Sequence, residues 1–166
     1  MFGHRVMPIR PATLAGAAIL VAGLAALAPP LAAQDTHHRV TPVEEVTFGP
    51  APPFLPEGAQ IAVLYGDPGA AGEFVVRLRF PAGYAIPAHS HTMDEIMTVI
   101  SGQLGLAAGD ELDRKAAPLL APGSFAMLPA GMTHFAWAKE ETVVQLNGMG
   151  PFDTTYLADS DDPRIN

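Results

Sequence analysis

An all-β sandwich or barrel is the fold class this chain predicts, on three observations. Short runs rich in Val, Ile, Leu and Phe recur at regular spacing, separated by Gly and Pro turn signals. Within residues 73–80, Phe74, Val76, Leu78 and Phe80 alternate with Val75, Arg77 and Arg79, the period of two that a half-buried strand imposes. Beyond the N-terminal stretch, no amphipathic run of about ten residues reads as a helix. With 166 residues, 49% of them hydrophobic, the chain has material for one domain and is too apolar to be disordered.

Residues 1–33 differ from the remainder. Arg5 and Arg10 precede an apolar run over 14–27, and the first acidic residue is Asp35. That pattern predicts a secretory signal peptide cleaved after Ala33, since cutting after Ala28 would put Pro29 directly beyond the scissile bond. An uncleaved anchor is the alternative, but an apolar run of about 14 residues falls short of the roughly 20 that span a bilayer. The expected product is periplasmic or secreted, from a Gram-negative bacterium of high GC content, with no stable membrane insertion after processing.

Residues 34–56 are Pro-rich and predicted to be extended, wrapping or pairing with a partner rather than forming a core. Within them, His37 and His38 read as part of a solvated tail, although a vicinal pair can also take up metal adventitiously. Residues 57–166 form the predicted barrel domain. Strands are expected at 61–65, 73–80, 95–100, 104–107, 124–128, 133–137, 142–147 and 152–157, with turns at Gly102, Gly109-Asp110, Gly123, Ala130-Gly131 and 148–150.

Loss of residues 1–33 would leave seven basic against 17 acidic side chains, a formal net charge of −10, which makes nucleic acid an unsuitable partner. The chain has no cysteine, so neither a disulfide framework nor a thiolate ligand or nucleophile is available.

The chemistry is concentrated in four side chains. Successive residues of an extended segment point to opposite faces, so His89 and His91 share one face. A short turn of Thr92, Met93 and Asp94 can return Glu95 on the neighbouring strand, and His134 follows 39 residues later. Three imidazoles and one carboxylate would then converge. Gly83 stands six residues before His89, and Gly102, seven after Glu95, sits where a hairpin needs positive φ.

These blocks resemble the two motifs of the cupin superfamily. The first, Gly, five residues, His-x-His, three or four residues, Glu, six residues, Gly, is complete in Gly83, His89, His91, Glu95 and Gly102. The second, Gly, five residues, Pro-x-Gly, two residues, His, three residues, Asn, is met at Gly123, Pro129, Gly131 and His134, with Ala138 in place of the Asn. That Asn is usually not a ligand in cupins. The resemblance covers about 83–138 by motif, and no internal repeat is evident. It implies a jelly-roll β-barrel (double-stranded β-helix), pairing of outer sheets in a homodimer, and His89, His91, Glu95 and His134 as metal ligands. Without the resemblance, the same residues read as hydrogen-bonded histidines in a β core.

Neutral imidazoles and a carboxylate suit one divalent transition metal, Fe, Mn, Zn, Ni or Cu, and do not choose among them. Four protein ligands on an octahedral ion leave about two positions for a substrate, dioxygen or water. By parity, Met97 and Val99 share a face with Glu95, Ala136 with His134, and Gln145 with Asn147 and Val143. If these line a pocket rather than fill a core, the ligand is small and partly apolar. Tyr84, beside Gly83, and Asp94, beside Glu95, are the nearest candidates for a catalytic general acid or base. Their bland alternatives are an aromatic packing residue and a solvated turn carboxylate.

The resemblance supports three function classes. The first is a small metal-dependent enzyme, dioxygenase-like, acting on a chelating organic substrate. The second is a non-catalytic module that binds or senses a small molecule. The third is a germin-like Mn oxidase or superoxide dismutase, for which the germin disulfide and longer N-terminal segment are missing.

Overall fold

A computed structural model describes residues 38–115 and 117–165. The predicted signal peptide, its cleavage site and His37 lie outside the described residues. From residue 39 onward the chain forms one unit of two antiparallel sheets. In chain order the strands are β1 (Gly49–Pro50), β2 (Gln60–Tyr65), β3 (Gly72–Phe80), β4 (Ala85–Ser90), β5 (Glu95–Ser101), β6 (Leu104–Ala108), β7 (Leu119–Leu120), β8 (Phe125–Leu128), β9 (His134–Ala138), β10 (Thr142–Gly150) and β11 (Thr155–Tyr156). One sheet runs β1-β2-β3-β10-β5-β8 and the other β11-β4-β9-β6-β7. The fold is the all-β jelly roll that the sequence predicts. Among the described residues no helix is long and apolar enough to cross a membrane.

The alternation in β3 does what its pattern requires. Phe74, Val76, Leu78 and Phe80 are buried against the core while the residues between them are more exposed. Each such side chain stabilises the fold by about 1.5–3 kcal/mol. On the neighbouring strand β10, Thr142, Val144 and Leu146 point inward and are buried, so the lining expected from Val143, Gln145 and Asn147 is corrected. Gln145 lies on the outer face, where Arg77 Nε donates to its Oε1 at 3.3 Å, and Asn147 is exposed.

Local chemistry sets the turns and breaks. Gly102, between β5 and β6, has φ +78°, and a Cβ there would collide with the Glu141 carbonyl and the Thr142 hydroxyl. Pro87 has no N–H to give the ladder, and the β4–β9 pairing skips from Ile86 to His89 around it. The strand expected over 152–157 shrinks to Thr155–Tyr156 because the Phe152 N–H donates instead to the Pro68 carbonyl in the β2–β3 turn, at 2.7 Å. The segment before residue 57 does join the fold. β1 pairs with β2, and Phe54 and Leu55 line the internal cavity.

Candidate metal centre

His89 and His134 face each other directly across β4 and β9, partners in the ladder. His91 follows the end of β4, and Glu95 opens β5. Here the structure corrects the sequence: β5 is not the hairpin neighbour of β4 but belongs to the opposite sheet. The turn 92–94 is a corner of the barrel, and Glu95 reaches the cluster from across the interior.

All four side chains are buried. The ligand-capable atoms of the three histidines lie within 4.8 Å of one another, a geometry that can hold a metal ion. Glu95 Oε2 stands 3.3 Å from His134 Nε2 and 3.4 Å from His91 Nε2. The outer ring nitrogens are each committed to the backbone. His89 Nδ1 lies 2.7 Å from the Pro87 carbonyl, His134 Nδ1 lies 3.0 Å from that of Met132, and His91 Nδ1 contacts that of Asp153. A carbonyl can only accept, so each neutral ring carries its proton on Nδ1 and turns a bare Nε2 inward. Three lone pairs and a carboxylate thus meet with no donor among them, and His91 Nε2 is buried without a hydrogen-bond partner.

The electrostatics follow from that crowding. Burial and the neighbouring His134 push His89 down to about 3, so it stays neutral. Burial alone would raise Glu95, but His134 and His91, which become donors to its carboxylate once protonated on Nε2, outweigh it and bring the carboxyl down to about 2. Burial likewise lowers His91, and the Glu95 carboxylate more than reverses this, leaving its pKa above the usual imidazole value. Without a cation, a proton shared between Glu95 and an imidazole must separate the lone pairs. A divalent ion would do so with all four groups in the protonation state that ligation needs.

Two residues that sequence reasoning missed hold His91. The Phe152 ring stacks on its imidazole at 4.4 Å between centroids. Asp153 supplies the carbonyl that fixes the tautomer, and its Oδ1 accepts from the Thr92 N–H at 2.9 Å and the Thr92 hydroxyl at 2.8 Å. Neither belongs to a motif, and only the aromatic-acidic pair just after β10 could have drawn attention to them. The two candidates for proton transfer are not brought to the cluster. Tyr84 donates its hydroxyl to the Pro56 carbonyl at 2.7 Å, and the Asp94 carboxylate accepts from the Ala130 N–H at 2.8 Å; neither lines the cavity.

That cavity, about 330 Å³, opens from the cluster into the barrel. Met97 and Ala136 line it as parity predicts, Val99 does not, and Val144 and Leu146 stand in place of Val143, Gln145 and Asn147. Among the described residues, the only polar side chains lining it outside the cluster are Asp67 and Thr154.

Residues 40–162 match the family model DUF4437, described as a domain of unknown function. The chain belongs to this family. No curated protein matches the sequence. Among solved structures, an RmlC-like cupin from Shewanella frigidimarina NCIMB 400 superposes with TM-score 0.54 at 13% identity, over 68% of this chain and 91% of its own. An acetylacetone dioxygenase from Acinetobacter johnsonii gives TM-score 0.58 at 16% identity, over 78% of this chain and 83% of its own. The polyketide cyclase RemF from Streptomyces resistomycificus gives 0.57 at 16%, over 76% and 90%. At such identities the likeness is one of fold, so this DUF4437 member has the cupin jelly-roll fold, with a buried histidine triad that can hold a metal.

Proposed function

We propose that His89, His91, Glu95 and His134 hold one divalent transition metal, Fe, Mn, Ni, Zn or Cu, and that the protein is a dioxygenase-like enzyme acting on a small organic molecule in the cavity. The observation that carries this reading is the meeting of three bare imidazole nitrogens and a carboxylate with no donor to separate them. The ion would supply Lewis acidity and, where redox-active, electrons to dioxygen. The chain's residues supply the rest. The carbonyls of Pro87, Asp153 and Met132 fix the three tautomers, and Phe152 packs His91 in place. The apolar walls exclude water and strengthen every polar contact a substrate makes at the cluster. By fold analogy alone, the acetylacetone dioxygenase and the polyketide cyclase point to a small organic substrate. Export to the periplasm, processing after Ala33 and assembly as a homodimer complete the proposal.

One observation favours a second reading, a non-catalytic small-molecule binder. The cavity offers no polar side chain beyond Asp67 and Thr154 to move protons outside the cluster. Metal analysis of protein purified without chelators, with His134→Ala alongside, tests the site. Near-stoichiometric metal lost in the variant supports it, and an empty wild-type site overturns it. Oxygen uptake with chelating diketones then separates enzyme from binder.

A further inference from the structure

One wall of the cavity is not part of either sheet. It is a strap, residues 51–58, with no regular structure, closed at its base by the Ala51 N–H donating to the Ala59 carbonyl at 3.2 Å. Pro52, Pro53 and Pro56 stiffen it, and the Leu55 N–H donates to the Pro52 carbonyl at 3.0 Å. Pro52, Phe54 and Leu55 face the cavity. Two hydroxyls from the barrel tie its main chain down. Tyr156 Oη donates to the Phe54 carbonyl and Tyr84 Oη to the Pro56 carbonyl, each at 2.7 Å.

Both tyrosines are themselves fixed. Tyr84 stacks on Phe80 with centroids 5.0 Å apart and planes 7° off parallel, and Tyr156 packs its ring 5.9 Å from that of His89. Burial raises both phenols, Tyr156 to about 12 and Tyr84 further, which favours the protonated form that donates. Among the described residues, the cavity enclosed by this strap is lined by no Lys or Arg to pair with a phosphate or a remote carboxylate, and by too few donors and acceptors outside the cluster to pair the hydroxyls of a sugar.

We propose that the strap is the specificity wall of this site. Phe54 and Leu55 restrict the ligand to a compact, largely hydrocarbon molecule whose polar atoms are confined to the metal end, and Tyr84 and Tyr156 are positioning residues that hold the wall. The placing of the ligand's polar atoms rests on the metal-centre reading above; the wall and its anchors do not.

Benzene and naphthalene test it, because they have no donor atoms and report on the wall whether or not metal binds. An apolar cavity of about 150 Å³ admits benzene, so this one should bind it in the full wild-type chain by NMR titration. Phe54→Ala should raise naphthalene affinity relative to benzene by about tenfold, with Leu55→Ala as the substitute if that variant does not fold. Tyr84→Phe and Tyr156→Phe keep the ring and remove the tie. Each should speed benzene exchange about fivefold, and together about thirtyfold, at one net hydrogen bond per hydroxyl. Hydrogen exchange should accelerate at the Ala51 and Leu55 amides while the β10 amides of Val144 and Leu146 keep their protection. A wild-type chain that binds no benzene overturns the ligand class. An unchanged naphthalene-to-benzene ratio in the enlarged variant overturns the specificity wall. Tyrosine variants that leave exchange unaltered, or loosen strap and β10 equally, overturn the positioning role.

Discussion

The two ends of the cavity use the same contact in opposite senses. At the metal end, side chains are oriented by backbone: His89 and His134 each lean on the carbonyl two residues earlier in the chain, and His91 on that of Asp153. At the strap end, backbone is held by side chains, the carbonyls of Phe54 and Pro56 each accepting from a tyrosine hydroxyl. The first arrangement is built on or beside strands, with His89 paired to His134 in β9 and to Tyr156 in β11. The second fixes a segment that has no ladder of its own. The lesson is a division of labour in which chemistry sits on rigid strands and selectivity on a tethered loop, and the two should fail independently.

The largest effect expected is at the rigid end. His91→Ala or Glu95→Ala should reduce metal content at least tenfold, and any activity with it, by leaving three ligands where four converge. Metal analysis of the purified variants decides this, and full occupancy in either would remove that residue from the ligand set.

Acid should undo the same end in order. A ligand must shed its proton to bind, so affinity is flat above the highest competing pKa and falls about tenfold per pH unit below it for each proton displaced. His91, raised by Glu95, takes its proton early on acidification, whereas His89, held down to about 3 by burial and the neighbouring His134, stays neutral throughout this range. Zn(II) competition titrations from pH 8 to 5 should therefore show the affinity falling early and with a slope near one proton. A flat profile would remove His91 from the ligand set.

A smaller effect is expected one contact further out. Asp153→Ala keeps the carbonyl that His91 uses but releases the turn, because Oδ1 no longer accepts from Thr92. Metal affinity should weaken by roughly tenfold, the low end of what such supporting contacts contribute, with a fall in Tm no greater than that of an ordinary surface substitution. Equal affinity in variant and wild type would show that the residue-153 carbonyl and the Phe152 stacking orient His91 without the Thr92 contacts.

Much of the rigid end was legible in the sequence, because strand parity and motif spacing are local rules. They brought His89, His91, Glu95 and His134 into one cluster and the alternating residues of β3 into the core. What local rules do not contain is which sheet a strand joins. Glu95 follows β4 by a four-residue step that suits a hairpin as well as a barrel corner, and only long-range pairing with β8 and β10 selects the corner. The β10 parity failed for a related reason. Both Val143 and Val144 are apolar, so the pattern could start on either face, and reading Gln145 and Asn147 as pocket polar groups chose the wrong one. The strap was legible only as a Pro-rich extended stretch. Its role depends on Tyr84 and Tyr156, the latter 102 residues from the carbonyl it binds.

The smallest effect isolates the tethered end. Gly58 closes the strap with φ +104°, a conformation that costs a residue with a side chain about 1 kcal/mol or more. Space is not the obstacle, since a Cβ there would meet Pro81 Cγ at 3.5 Å, an ordinary contact. Gly58→Ala should thus act through the backbone alone, lowering Tm by a few degrees and loosening the strap. None of the four cluster residues touches Gly58 in this arrangement, so metal content should stay at the wild-type level. If metal were lost together with strap protection in hydrogen exchange, the two ends would be coupled, with the Tyr156 ring beside His89 as the physical connection, and the division of labour would give way to a single cooperative site.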